Sequence, residues 1–112
     1  MTRVVALLGD LMDRSRLAGA VPGLEAITDP ADAVGAEVVV VDLARHADDV
    51  RAVRRLAPRA RIVAFGAHVD GPVLAAARSE GADVVLPRSR FFRDPAGALD
   101  VTGSADPRSE PP

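Results

Sequence analysis

Cysteine, lysine, asparagine, glutamine, tyrosine and tryptophan are all missing from this chain of 112 residues, and phenylalanine occurs only three times. Without cysteine there is no disulfide, no thiolate nucleophile and no cysteine-ligated metal. Without lysine there is no Schiff base, no lysine general base and no phosphate-binding P-loop. No asparagine or glutamine side chain is on hand to stabilise an oxyanion. So few aromatic rings cannot build the stacking platform on which single-stranded nucleic acid lies. No apolar run nears the ~18 residues that cross a bilayer. The opening Met1-Thr2-Arg3-Val4-Val5 has neither the apolar stretch nor the small-residue cleavage site of a signal peptide, so a cytoplasmic protein is expected.

Basic charge is carried by arginine alone, fourteen residues in all, and alanine and valine dominate the apolar set. Such uniform preferences read as a coding bias, not as a functional signature. With 48% hydrophobic residues, 27% charged residues and a net charge of −2, the chain can bury one core, and its length suits one domain. Between Arg45 and Arg61 there are six arginines against two acids, yet residues 1–92 balance twelve arginines with twelve acids. No DNA-reading motif accompanies that stretch. A solvated helix face is the better reading, and nucleic acid is not an expected partner.

The hydrophobic pattern predicts alternating strands and helices. Residues 3–9 read as a buried strand closed by Gly9, and residues 11–20 as a helix stopped by Val21-Pro22-Gly23. Leu24 to Thr28 is a short strand, and Asp29-Pro30 opens a brief helix that ends at Gly35. Four consecutive valines, Val38 to Val41, predict a central strand buried on both faces. Residues 47–57 read as an amphipathic helix with Val50, Val53, Leu56 and Ala57 inward and Arg51, Arg54 and Arg55 outward. A strand over 61–66, a helix from Gly71-Pro72 to a Gly81 cap, and a strand over 83–86 complete the series. The expected fold is α/β: a flavodoxin-like doubly wound parallel sheet of five strands in the order 2-1-3-4-5. The last helix is expected to be short or missing, because only Phe91, Phe92, Ala96, Ala98 and Leu99 are apolar there and Pro95 interrupts them. The sheet face shared with the first helix should then be thinly covered and inclined to find a partner. Residues 1–99 are read as the domain and residues 100–112, rich in proline and small polar residues, as a disordered tail.

Ligands of such sheets sit beyond the carboxyl ends of the strands. The residues falling there are Gly9, Asp10 and Asp13, then Asp42, then Gly66, His68 and Asp70, and last Arg88, Ser89 and Arg90. The stretch Val39-Val40-Val41-Asp42-Leu43 resembles the strand that carries the phospho-accepting aspartate of bacterial response-regulator receiver domains, the CheY-like family. Gly81-Ala82-Asp83-Val84-Val85-Leu86-Pro87 is similar to that family's approach to its last strand, and the resemblance spans about residues 3–92.

The departures from the family pattern are as informative. The resemblance implies two adjacent acids after the first strand, a switch Ser or Thr after the fourth, and a lysine before the last proline. This chain has Gly9-Asp10, Gly66 and Leu86 at those places. By the resemblance Asp42 is the candidate phospho-acceptor, and Asp10 with Asp42 the candidate holders of Mg2+. One carboxylate fewer weakens such a site, and leucine cannot neutralise a phosphoryl group. Arg88 or Arg90 could supply the missing positive charge, or pair with Asp10, Asp13 and Asp42 and close the pocket; the pairing is the favoured reading. The plain alternatives are a strand-end cap for Asp42, a helix N-cap for Asp10 and for Asp70, and a surface or capping role for His68.

The expected function is therefore a degenerate, receiver-like signalling or protein-interaction module. It is read as neither phosphorylated nor an enzyme, and it requires no cofactor, with Mg2+ possible. It would act through a protein partner or a homodimer, with no role for a membrane. The loop residues Gly66, His68, Arg88, Ser89 and Arg90 are candidates for binding an anion or a partner, with Phe91 and Phe92 on the interaction surface. Two alternatives stand beside this one: a phospho-accepting receiver of a phosphorelay using Asp42, and an anion- or nucleotide-binding domain using the strand-end crevice. No G-x-G-x-x-G follows the first strand, and no nucleophile elbow is present.

Overall fold

The valine run dictates the centre of the molecule. In the computed structural model, which describes residues 2–67 and 69–99, Val38–Asp42 forms the middle strand β3, and every residue in it is buried. It lies between β1 (Val4–Leu7) and β4 (Arg61–Gly66); β2 (Glu25–Ile27) and β5 (Val84–Pro87) are the edges. All pairings are parallel and the order is 2-1-3-4-5, as the sequence pattern predicts.

Alternation along the strands sorts the core into two layers. Val5, Leu7, Val39, Val41, Ile62 and Ala64 face one layer, packed by Val50 and Val53 of α3 (Val50–Leu56) and Ala77 of α4 (Gly71–Ser79). Val4, Ala6, Val38, Val40, Val63 and Phe65 face the other, which is closed by Leu17 of α1 (Leu11–Ala20) together with Phe91 and Leu99.

Three expectations are corrected. The single helix over 47–57 is instead α2 (Leu43–His46), a 3-10 turn over Ala47–Asp49 and then α3. Asp42 starts helix directly at the strand end by capping α2, and His46 leaves helical geometry (φ −125°, ψ 23°) as its Nδ1 pairs with Asp49 Oδ2 at 2.8 Å. The brief helix expected after Asp29 is present as one 3-10 turn, Pro30–Ala33, capped by Asp29 and opened by Pro30.

The thinly covered sheet face is not found either. Two short helices follow β5, namely α5 (Arg88–Arg93) and α6 (Pro95–Leu99), and Phe91 and Leu99 are fully buried. Pro95 opens α6 where a proline costs nothing, and Asp94 Oδ1 accepts from the Gly97 amide at 3.1 Å. The last helical segment is short, as expected, yet sufficient. Phe91 is consequently no surface residue: its ring stacks on Phe65 with centroids 4.7 Å apart. Residues 100–112, read as a disordered tail, and His68 lie outside the described residues. No helix among the described residues is long and apolar enough to cross a membrane.

Candidate functional site

Acids collect at the carboxyl edge because helices begin there. Asp10 Oδ1 accepts the Met12 amide at 2.7 Å, Asp29 Oδ1 the Ala31 amide at 2.9 Å, Asp42 Oδ1 the Ala44 amide at 3.0 Å and Asp70 Oδ1 the Val73 amide at 3.4 Å. Each satisfies a backbone N–H that has no partner within its own helical turn. Asp42 does so while almost wholly buried, at 4% exposure.

Asp13 is the exception. It stands in the first turn of α1 at 1% exposure, and its carboxylate receives both terminal nitrogens of Arg88, with Nη1 to Oδ2 at 2.8 Å. A fork-to-fork pair of this kind suits the planar guanidinium. Arg88 also lies over the rings of Phe92 and Phe65, at 4.8 and 5.7 Å from their centroids. Its pKa is raised above the ordinary arginine value, first by the hydrogen bond to Asp13 and then by the nearby charges of Asp13, Asp42 and Asp10, against an opposing effect of burial. Arg88 is thus the counter-charge of three carboxylates and the direct partner of one.

The other positions at which the resemblance implies chemistry are filled by different groups. A side chain at Gly9 would run into the aliphatic stem of Arg45. One at Gly66 would meet Leu43 and Leu74 at 3.3 Å, tighter than ordinary contact. Leu86 packs against the apolar layer that contains Phe65 and Phe91. Ser89 and Arg90 are exposed on α5, and Phe92 is half-buried. Among the described residues no group of three or more His, Asp or Glu side chains is arranged to hold a metal ion.

Sequence reading named Arg88, Asp10, Asp13 and Asp42 but missed Arg45, whose role depends on a contact between distant loops. It also missed Arg16 and Arg93, which with Arg88, Ser89 and Phe92 line an open cavity of about 420 Å³ between α1 and α5. The signal was present in part, since Arg16 lies three residues after Asp13 on α1 and so on the side of that helix facing α5.

No protein-family model matches the chain, and no curated protein sequence does. Solved structures do. A response regulator from Burkholderia pseudomallei, itself holding a phosphorylated aspartic acid and a calcium ion, superposes with a TM-score of 0.76 at 16% identity, covering 98% of this chain and 76% of that one. A CheY-like protein, TadZ, from Pseudomonas aeruginosa gives 0.72 at 17% identity over 92% of this chain and 100% of that one. A response-regulator receiver domain from Clostridium thermocellum gives 0.71 at 15% identity over 89% and 92%. Identities this low speak for architecture alone, and on that ground the chain has the fold of the response-regulator receiver domains, the CheY-like fold.

Proposed function

We propose that this chain is a receiver-fold signalling module that acts through contact with a protein partner or a second copy, and that Asp42 does not carry a phosphoryl group in that role. The observation that supports this best is the commitment of Arg88. A phosphoryl group on Asp42 needs a cation beside it, and Arg88 is a basic residue held in the field of Asp42. Moving it there would strip Asp13, at 1% exposure, of its partner. That costs ~2 kcal/mol, between the values for exposed and fully buried pairs. The place of a second metal-binding carboxylate is taken by the Arg45 stem, and no hydroxyl stands at Gly66 to answer a phosphoryl group.

Partner contact falls to the carboxyl edge in this reading, since Leu11, Met12 and Val69 are 74–80% exposed there. Phe92 contributes at most an edge, and Phe91 nothing. The test uses beryllium fluoride, which mimics a phosphoryl group on an aspartate. With Mg2+ present it leaves the amide NMR spectrum of this chain unchanged. Shifts centred on Asp42 and Gly66 that disappear in Asp42→Asn would overturn the proposal.

A further inference from the structure

The cavity between α1 and α5 lies to one side of the strand ends, and its chemistry is not that of the Asp42 crevice. Five residues line it: Arg16, Arg88, Ser89, Phe92 and Arg93. Arg16 rests its guanidinium 4.2 Å from the centroid of Phe92. That ring is itself held edge-on against Phe65 and Phe91, at 5.2 and 5.1 Å. An arginine stacked on a fixed ring loses much of its freedom before any ligand arrives, and Arg16 remains exposed.

Among the described residues its N–H donors have no acceptor. Neither Arg16 nor Arg93 makes a side-chain hydrogen bond or ion pair with another described residue, whereas Arg88 in the same cavity does, and of the unpartnered arginines these two line it. Asp13 answers one of the three positive charges around the cavity, and no other described acid pairs with the remaining two. The Ser89 side chain is exposed at the same wall. Planar forks of donors beside a hydroxyl suit the oxygens of a phosphomonoester, and a cavity of about 420 Å³ is large enough for a nucleoside monophosphate.

We propose that Arg16 and Arg93, with Ser89 and the outer edge of Arg88, form a binding site for a small phosphorylated anion. The site does not depend on whether Asp42 accepts a phosphoryl group, because Arg16, Ser89 and Arg93 stand away from Asp42 and only Arg88 is shared with it.

Calorimetric titration of the full chain with inorganic phosphate and with AMP, at low salt, tests it. Arg16→Ala and Arg93→Ala remove exposed side chains, so both variants should fold, and Arg51→Ala on α3 controls for loss of charge alone. The expected result is saturable one-to-one binding that weakens about tenfold in each cavity variant and holds in Arg51→Ala. Tighter binding of AMP than of phosphate identifies a nucleotide-sized ligand; equal binding identifies the oxyanion as the part that is read. No saturation by about 10 mM, or equal weakening in Arg51→Ala, would overturn the proposal. Such a failure leaves the reading of Asp42 as it stood.

Discussion

Arg88 and Asp13, 75 residues apart in the chain, close on one another through two hydrogen bonds and join α5 to the first turn of α1. The pair does at the carboxyl edge what a bound ion does in other proteins: it answers carboxylates that the strand ends have gathered. It also ties the short helix after β5 onto α1. A structural task of this kind keeps the arginine from serving a phosphoryl group on Asp42.

Cutting the pair should therefore be costly from either side. Arg88→Ala leaves a buried carboxylate alone and is expected to lower stability by ~2 kcal/mol in urea unfolding. Asp13→Asn should cost less, since an amide still accepts a hydrogen bond, and the double-mutant cycle should show a coupling of about 1 kcal/mol or more. The sign of the pH dependence follows from the raised pKa of Arg88. A group raised on folding stabilises below its unfolded pKa and loses that effect only as pH climbs through the folded one. The difference between wild type and Arg88→Ala should thus hold steady from about pH 7 to pH 10.

Phe91 and Phe92 are neighbours with opposite fates. Phe91→Ala opens a hole against Phe65 and is expected to cost about 3–5 kcal/mol, enough to unfold much of a small domain. Phe91→Leu keeps most of the volume and should cost ~1 kcal/mol. Phe92→Ala, half-exposed, should cost ~1 kcal/mol, and thermal unfolding ranks the three.

Gly81 separates steric clash from backbone strain. Its φ is +121°, and an added Cβ would stand 2.9 Å from Arg54 Cγ. Arg54 cannot yield easily, because it donates to the carbonyls of Gly81, Pro58 and Ala60 and to Asp83. Gly81→Ala is expected to cost about 3 kcal/mol. Gly23, at φ +87° with open space around it, carries only the backbone term. Gly23→Ala should cost ~1 kcal/mol, measured in the same urea series.

Gly9 and Arg45 make a paired prediction about metal. Gly9→Asp adds the second acid, but into the Arg45 stem, and should lose about 1–3 kcal/mol with no gain in Mg2+ affinity. With Arg45→Ala added, the two acids stand free, and calorimetry should then detect Mg2+ binding. Binding by the single variant would mean that Arg45 moves aside freely.

Much of this was legible in the chain itself. Val38 to Val41 announced a strand buried on both faces, and Gly81 announced the end of a helix, because both signals are local. Asp29-Pro30 was readable as a helix opening, and Asp94-Pro95 is the same signal. It went unread because the proline looked like an interruption in a stretch poor in apolar residues. The burial of Phe91 depends on Phe65, and the filling of Gly9 on Arg45. These contacts join loops far apart in sequence, so no periodicity contains them. Asp10 and Asp42 were located correctly at strand ends, but residue type alone does not distinguish a helix cap from a metal ligand.

The central claim is that Asp42 is a buried cap and not a phosphoryl acceptor. Intact-protein mass after incubation with acetyl phosphate and Mg2+, alongside Asp42→Asn, measures this directly. The expected result is an unchanged mass for a chain that circular dichroism shows to be folded. A gain of about 80 Da, one phosphoryl group, that is lost in Asp42→Asn would contradict the account and make Arg88 or Arg90 the substitute for the missing lysine.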